Sequence, residues 1–393
     1  MAVRVVDRSL QYRRVDELLA ARAKDYPDRV EPTWSMLVSS LEELAGSLRE
    51  SAGGPDAPEP SPEAQACVAR LLQAPVFVVG YQKSGTTLLL NLLDGHPSLG
   101  VVPYLESKYF TRFLPEHGHL DPSAQIAALQ EAWIHSLINP VGEPPFWLLG
   151  EPTAPNDPYE RFTAYLYWFA GRYPAQDLLA ILATTVVAVR LDAGELEHEP
   201  DYWVEKTPMH ELHADEILDV YSQAKFLHIV RDPRATVAAL RRMEMAGDAR
   251  ASALEIRRTL EAARRTIERI GPGRYSIVSY EELVRDPERV MRGVAAFLDI
   301  EFTDILLTPT TAGRLVGANS AWPERRVRGT VHALSVDSWQ GSLGRGEETI
   351  VLAETAQAAN AIGYPLPEPS SMSRVAALGM SVTDRALRRI ARS

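Results

Sequence analysis

The segment GYQKSGTT, Gly80–Thr87, has the glycine spacing of a phosphate-binding loop, but its lysine stands in an unusual place. In a loop that binds a nucleoside triphosphate, the lysine follows the second glycine and reaches the β- and γ-phosphates. Here Thr86 follows Gly85, and Lys83 lies on the crown of the loop. The N–H groups and hydroxyls at this predicted helix start suit one phosphate, and Lys83 can reach past it to the bond that breaks. Nothing in the segment demands magnesium.

A second anion site is predicted where another apolar strand ends. That strand is KFLHIV, Lys225–Val230, and Arg231 follows it, ahead of a helix predicted over Pro233–Met243 with Asp232 near its cap. An arginine beside free N–H groups at a helix start binds an anion well. Two single-phosphate sites on neighbouring strand ends fit a nucleotide with phosphates on both sides of its ribose. They fit a triphosphate chain less well.

Strands and helices alternate around these two motifs. Pro75–Val79 is an apolar, β-branched run that predicts a buried strand. Tyr275–Tyr280 predicts a third strand, and Pro287–Leu298 predicts the helix after it. Ser61 and Pro62 have the residue types of a helix start. The alternation predicts an α/β fold with a mainly parallel central sheet and helices on both faces.

With these motifs in place, the chain resembles the sulfotransferases that use 3′-phosphoadenosine 5′-phosphosulfate (PAPS) and release 3′-phosphoadenosine 5′-phosphate (PAP). KSGTT, Lys83–Thr87, resembles that family's 5′-phosphosulfate loop, and IVRDPRATVAAL, which contains Arg231, resembles its 3′-phosphate motif. The resemblance covers the chain from about Ala74 to Tyr364. The family branches that the chain resembles are the bacterial, tyrosyl and carbohydrate sulfotransferases. It implies a P-loop-like sulfotransferase fold, PAPS as donor and no metal.

Other segments resemble the family's nucleotide contacts. Tyr280, in VSYEELVRDPERVMRGVAAFLDI, stands where the family has a tyrosine near the nucleotide. RGTVHALSVDSWQGSL resembles the late loop that closes over adenine and the 3′-phosphate. One position departs: the family usually has serine where this chain has Ala239, so Thr236 or the late loop replaces that contact, or the 3′-phosphate is held less tightly. The implied nucleotide-binding residues are Lys83, Ser84, Gly85, Thr86, Thr87, Arg231, Tyr280, Arg328 and Gly329.

Sulfuryl transfer needs a base at the acceptor hydroxyl and positive charge near the leaving oxygen. Lys83 is the predicted cation, and the alternative is a lysine that only holds the ground-state phosphate. Glu106, in ESKYF, resembles a glutamate that several family branches use as the base, and a solvated glutamate or an ion pair with Lys108 is the alternative.

The resemblance also implies a second catalytic cation, Lys206. It lies in VEKTPMHELHADEIL, where Thr207 and Pro208 predict a helix start. A salt bridge between Lys206 and a neighbouring carboxylate is the alternative. His210, further along, is a candidate base or acceptor contact, although a lone histidine on a helix is more often structural.

The acceptor is the least specified part of the reaction. Aromatic residues crowd the segment 159–173, and Tyr165 and Trp168 in it are candidate acceptor contacts. A helical core is the alternative for this segment. The aromatic segment favours a small-molecule, lipid-like or glycolipid hydroxyl as acceptor. The net charge of −11 argues against an acidic polysaccharide. The same charge argues against nucleic acid as a partner.

Composition and punctuation suggest how the chain is organised. The single cysteine, Cys67, fits a reducing cytosol, and the N-terminus lacks the apolar core of a signal peptide, so we expect a cytoplasmic protein. The tail is basic and carries an apolar stripe, which predicts either a docked terminal helix or contact with the inner face of the membrane. The predicted division is a helical appendage and Pro-rich linker over 1–60, a sulfotransferase domain over 61–368 with a helical acceptor-side insertion at 105–200, and the basic tail at 369–393.

Two other functions compete with a PAPS sulfotransferase. A P-loop kinase-like enzyme would have lysine at the position of Thr86 and an acidic metal ligand at a strand end. A catalytically decayed PAP-binding protein would keep the nucleotide motifs without turnover. No group of histidine, cysteine and carboxylate residues has the spacing of a metal site.

Overall fold

The computed structural model describes most of the 393-residue chain. The described residues are 8–25, 31–52, 54, 57–102, 106–134, 138–139, 146–152, 157–243, 245, 248–316, 327–337 and 339–370. The basic tail predicted at 369–393 lies almost wholly outside them. Among the described residues, no helix combines the length and apolar character that crossing a bilayer requires.

Fourteen α-helices occur in the described residues. In chain order they are α1 Ser9–Asp25, α2 Glu31–Ala52, α3 Pro62–Leu71, α4 Thr86–Leu93, α5 Leu114–His117, α6 Pro122–Ile134, α7 Pro158–Arg172, α8 Leu178–Asp192, α9 Ala214–Val220, α10 Pro233–Arg242, α11 Ala249–Ile270, α12 Tyr280–Arg285, α13 Pro287–Leu298 and α14 Arg345–Ala361. Shorter helical turns are a π-helical turn, Tyr109–Phe113, and 3₁₀ helices at His210–His213 and Asp304–Leu307.

The central sheet has five strands. The described strands are β1 Pro75–Val79, β2 Leu99–Val101, β3 Ile138–Asn139, β4 Phe146–Trp147, β5 Tyr202–Lys206, β6 Lys225–Val230, β7 Tyr275–Ser279, β8 Thr310–Thr311 and β9 Arg314–Leu315. The sheet order is β2-β5-β1-β6-β7, and the pairs β2·β5, β1·β6 and β6·β7 are parallel. This parallel sheet with its interspersed helices confirms the predicted α/β fold class.

The chain divides into two compact units. The first contains the described residues up to Pro75, Asp94–Glu205 and Thr310–Arg314. Its core includes one face of α2, where Leu37, Leu41, Leu44 and Leu48 are buried as the three- and four-residue spacing predicts. Phe162 and Phe169 of α7 are also buried. The crowded aromatic segment thus supplies core to this unit.

The second unit contains Val76–Leu93, Lys206–Pro309 and the described residues from Leu315 onwards. Its strands β1, β6 and β7 align Phe77 with Phe226 and Phe226 with Tyr275. The rings stack across the strands at centroid distances of 5.7 Å and 5.2 Å. Because the three strands are parallel, their carboxyl ends lie at one edge, where the next residues are Gly80, Arg231 and Tyr280.

Most predicted element boundaries hold within one residue. Ser61 caps α3 by accepting the Ala64 N–H at 3.0 Å, as predicted. The strand predicted over Tyr275–Tyr280 ends at Ser279, because Ser279 caps α12 and Tyr280 is the first residue of that helix.

Candidate active site

The two loop glycines occupy positions that no other residue would fill without displacement. Gly80 has φ +143°, and a Cβ there would lie 2.4 Å from the Ile229 carbonyl oxygen. Gly85 has φ +112°, and its Cβ would lie 2.6 Å from the Tyr280 ring. The glycines therefore let the loop backbone pass close to β6 and to the aromatic ring that begins α12.

Lys83 forms the crown of the loop in a left-handed conformation. Its φ is +65°, which for a residue other than glycine costs about 1 kcal/mol or more. Its carbonyl oxygen accepts a hydrogen bond from Arg231 Nη1 at 3.1 Å. A strained main chain that is held by a specific partner is typical of functional loops.

The loop leads into α4 at Thr86. The first N–H groups of a helix have no partner within the helix, and the helix dipole favours an anion there. Ser84 is 2% exposed, and its Oγ has no hydrogen-bond partner among the described residues. A buried hydroxyl beside a helix start offers a phosphate oxygen a ready donor.

Arg231 connects the phosphate loop to the late loop. It is 8% exposed, and its Nη2 donates to the Ser335 carbonyl oxygen at 2.8 Å, besides the Nη1 contact to Lys83. Its guanidinium carbon lies 4.6 Å from the centroid of the Tyr280 ring. The Nε of Arg231 is buried without a hydrogen-bond partner among the described residues, so the guanidinium keeps a donor for an anion.

Tyr280 and the late loop complete this edge of the second unit. The Tyr280 hydroxyl lies 2.5 Å from Ser335 Oγ. Gly329 has φ +66°, and its N–H donates to the Val316 carbonyl oxygen at 2.9 Å, whereas Arg328 is exposed. The structure thus brings Tyr280 together with the loop glycine and Arg231, and it places Arg328 at the surface.

Two late-loop residues were missed by the sequence analysis. Ser335 contacts both Arg231 and Tyr280. Trp339 stacks on Arg234, whose guanidinium carbon lies 4.1 Å from the ring centroid and whose Nη2 pairs with Asp232 at 2.6 Å. The tryptophan and Arg234, the second arginine of RDPR, could have suggested this contact from the sequence, because arginine–aromatic pairs are common at binding sites.

Lys206 ends β5, and His210 lies on the segment that follows this strand. Lys206 is the last residue of β5 and is 3% exposed. The helix start predicted at Thr207 and Pro208 is wrong: the next element is the 3₁₀ helix from His210, and Met209 before it is left-handed with φ +72°. The Gly80 carbonyl accepts the Met209 N–H at 3.0 Å, and this contact shapes the turn.

His210 is fully buried in the second unit. Its ring centroid lies 6.2 Å from that of Phe77 on β1, in an edge-to-face arrangement. This environment matches the structural alternative for a lone histidine on a helical turn. Its role as a base stays a prediction.

Glu106 belongs to the first unit and is exposed. The next residue, Ser107, is anchored to the buried Glu205: its hydroxyl donates to Glu205 Oε1 at 2.7 Å and its N–H at 3.3 Å. Glu205 was missed as the residue that fixes this segment. In the same unit Tyr165 is buried, with its hydroxyl donating to Asp192 at 2.6 Å, and Trp168 is half-buried.

Comparison with known proteins identifies the family. A model described as the sulfotransferase family matches residues 75–304, which is more than half of the 393 residues. The chain belongs to the sulfotransferase family. The match begins at β1 and includes the phosphate loop, Lys206, Arg231 and Tyr280, and so confirms the resemblance seen in the sequence.

Three individual sulfotransferases have 17–26% sequence identity to this chain. A protein-tyrosine sulfotransferase from Drosophila melanogaster is 26% identical over 239 residues, which is 59% of this chain and 39% of that protein. The sulfotransferase domain of the Synechococcus PCC 7002 olefin synthase is 20% identical with a TM-score of 0.45, covering 75% of this chain and 96% of that one. A sulfotransferase from Mycobacterium avium is 17% identical with a TM-score of 0.36, covering 84% and 93%.

This sulfotransferase has two buried donors at the ends of neighbouring parallel strands. Ser84 Oγ follows β1, and Arg231 Nε follows β6. Both groups can donate a hydrogen bond, so an anion would satisfy them. The described residues contain no cluster of three or more histidine, cysteine, aspartate or glutamate side chains that could hold a metal.

Proposed function

We propose that this sulfotransferase moves a sulfuryl group from PAPS to a hydroxyl group of a small-molecule, lipid or glycolipid acceptor. The observation that carries the proposal is the pair of buried donors, Ser84 Oγ and Arg231 Nε, beside a loop whose lysine is on the crown. Two separate anion sites suit a nucleotide with a 5′- and a 3′-phosphate. PAPS supplies the sulfuryl group and leaves as PAP.

The phosphate loop binds the 5′ end of the nucleotide in this proposal. The N–H groups of Gly85, Thr86 and Thr87 at the start of α4, with the Ser84 hydroxyl, donate to the 5′-phosphate. Arg231 binds the 3′-phosphate through its guanidinium. Tyr280 holds the guanidinium from one side at 4.6 Å, which supports this assignment.

The late loop closes over the same nucleotide. Arg328 and Gly329 are the proposed contacts there, as in the family resemblance. Ser335 adds its hydroxyl beside Tyr280, so the late loop offers a serine near Arg231 although position 239 is alanine. We assign the contact of the usual family serine to this loop.

Lys83 and Lys206 stabilise the charge that develops on the leaving oxygen. Ammonium groups held near that oxygen act on the transition state more than on the ground state, because the charge grows as the bond breaks. Lys206 is 3% exposed, and a buried cation interacts more strongly with charge than a solvated one.

Glu106 accepts the proton of the acceptor hydroxyl. The exposed carboxylate precedes Ser107, whose two hydrogen bonds to Glu205 fix the main chain of the segment. The removal of the proton makes the hydroxyl oxygen a nucleophile for in-line attack on sulfur. Tyr165, Trp168 and His210 stay candidate acceptor contacts, and the protein is proposed to act in the cytoplasm, at the inner face of the membrane if the tail docks there.

Transfer of radiolabelled sulfate from PAPS tests the function. The acceptor panel contains phenols, lipid alcohols and glycolipids, with a tyrosine peptide because the Drosophila relative is a protein-tyrosine sulfotransferase. We expect PAP formation that needs an apolar hydroxyl acceptor. Transfer only to highly anionic glycans would contradict the proposed acceptor class, and ATP turnover with no PAPS turnover would contradict the donor.

A further inference from the structure

Glu211 is a buried carboxyl group that contacts the phosphate loop. It lies in the 3₁₀ helix His210–His213 and is 1% exposed. Its Oε2 accepts the Gly80 N–H at 3.1 Å, and the Met209 N–H donates to the Gly80 carbonyl oxygen at 3.0 Å. Both polar groups of the first loop glycine are therefore held by one short segment.

Gly80 is the point at which the chain leaves the sheet. Strand β1 ends at Val79, and the left-handed Gly80 passes so close to β6 that no side chain fits. A buried N–H that has left the ladder needs a new acceptor. The carboxylate of Glu211 is that acceptor. The left-handed Met209 forms the turn that places Glu211 beside Gly80.

A glutamate is rarely buried to this depth unless it is paired. Glu211 Oε1 is buried and has no hydrogen-bond partner among the described residues. Burial raises the pKa of Glu211 to about 7, and the N–H groups of Glu211, Gly80 and Met209 lower it by less. Burial, and to a smaller extent the Glu211 charge, raises the pKa of the Tyr275 hydroxyl on β7. This hydroxyl is hydrogen-bonded to His228 Nδ1 on β6 at 2.8 Å.

We infer that Glu211 is a positioning residue for the phosphate loop, and this inference rests on the proposed function. By fixing Gly80, it fixes where the loop turns, and so the direction of the N–H groups at Gly85 and Thr86. Those groups bind the 5′ end of the nucleotide. Glu211 thus acts on the 5′-phosphate through the loop without touching it, whereas Arg231 acts on the 3′-phosphate directly.

Calorimetric affinities for PAP and adenosine 5′-phosphate separate these two roles. Glu211→Asp keeps the charge but shortens the reach to Gly80, and Glu211→Leu removes the acceptor. We expect both to weaken the two nucleotides by the same factor, about tenfold, as the loss of one hydrogen bond to a charged group predicts. Glu211→Gln keeps an acceptor oxygen and should stay within about threefold of the parent.

Glu354 provides a matched control. It is also a buried glutamate of the second unit, but it pairs with Arg250 and Arg257 at 2.7 Å and lies on α14. Glu354→Gln should lower the unfolding midpoint and leave both nucleotide affinities unchanged. If Glu211→Leu fails to fold, Glu211→Asp and Glu211→Gln still give the comparison.

The outcomes separate this inference from the function on which it rests. No PAP binding by the parent protein would overturn both. Parental affinity in Glu211→Asp and Glu211→Leu, with PAP bound normally, would overturn the positioning role and leave the proposed function standing. A selective loss of PAP over adenosine 5′-phosphate would also overturn it, because that pattern belongs to the 3′-phosphate site.

Discussion

Lys83 is held in place through its main chain. The left-handed φ of +65° and the hydrogen bond from Arg231 to its carbonyl oxygen fix the crown of the loop. This contact uses the carbonyl oxygen of Lys83 and not its ammonium group. In the proposed function, this lysine, three positions before the usual one, acts at the bond between sulfur and the leaving oxygen.

Replacing Lys83 tests whether it acts on the transition state. Lys83→Ala should lower kcat for PAPS-dependent transfer by about 10²–10³-fold, the usual effect of removing one group that stabilises developing charge. PAP affinity should change little, because Arg231 and the loop N–H groups remain. Steady-state kinetics and calorimetry on the same preparation measure both. Full activity in this variant would refute the assigned role.

Replacing Glu106 tests the base. Glu106→Gln should leave PAP affinity at the parental value and lower the rate by about 10²–10⁴-fold, the usual contribution of a positioned base. Glu116→Gln is the matched control, because Glu116 is an exposed glutamate of the same unit. If the rate survives in Glu106→Gln, His210→Gln is the next variant to assay, although His210 is fully buried.

At the scale of elements, local patterns predicted what local physics determines. The β-branched run at Pro75–Val79, the Ser61 cap and the capping Asp232 of α10 all have the predicted structure. The helix start predicted at Thr207 was wrong, because Met209 donates a hydrogen bond to the distant Gly80 and Glu211 accepts one from it, and these contacts override the capping signal. Ser335 lies 104 residues from Arg231, so no local pattern could reveal their contact.

Arg231 contacts both the phosphate loop and the late loop, and the proposed function assigns the 3′-phosphate to it. Arg231→Ala should weaken PAP by more than tenfold and adenosine 5′-phosphate by much less, since charge-assisted hydrogen bonds contribute about 1.5–3 kcal/mol. Arg231→Lys keeps the charge but cannot reproduce the paired contacts to the Lys83 and Ser335 carbonyl oxygens, so it should recover only part of the affinity. Equal losses for both nucleotides in calorimetry would remove the 3′-phosphate assignment.

At the scale of the whole molecule, the family match covers the part of the chain that builds the central sheet. It begins at residue 75, so α1, α2 and α3 lie before it. The predicted boundaries at 60 and 368 stay predictions. The helical character of the N-terminal part followed from its periodicity, whereas the acceptor could not be predicted, because an apolar aromatic segment serves a core and a pocket equally well.

The pH dependence of stability reports two buried groups of the second unit. Burial raises the pKa of Glu211 from 4.5 to about 7, so the folded state binds the extra proton and stability falls as pH rises from about 4.5 to about 7. Burial lowers the pKa of His228 from 6.5 to about 3, so its contribution is lost as pH falls below about 6.5. Between about pH 4.5 and 6.5 the two groups have opposite effects on stability.

Glu211→Gln isolates the first effect, because His228 is common to both proteins. From pH 5 to 7.5, the parent should lose about 2 kcal/mol of unfolding free energy relative to Glu211→Gln, because this range contains most of the interval between the unfolded and folded pKa values. Denaturant midpoints measured across that range give the difference. Parallel pH profiles for the two proteins would mean that the Glu211 carboxyl is not perturbed by burial.

Calorimetric binding of PAP, compared with ADP and with ATP and magnesium, tests directly whether this sulfotransferase uses PAPS. The two proposed anion sites, at Ser84 and at Arg231, predict tight PAP binding without magnesium and weak ADP binding. Preference for magnesium-ATP would contradict the account and favour a kinase-like enzyme. Failure to bind any of the three would contradict it as well, and would indicate a fold that has lost its nucleotide site.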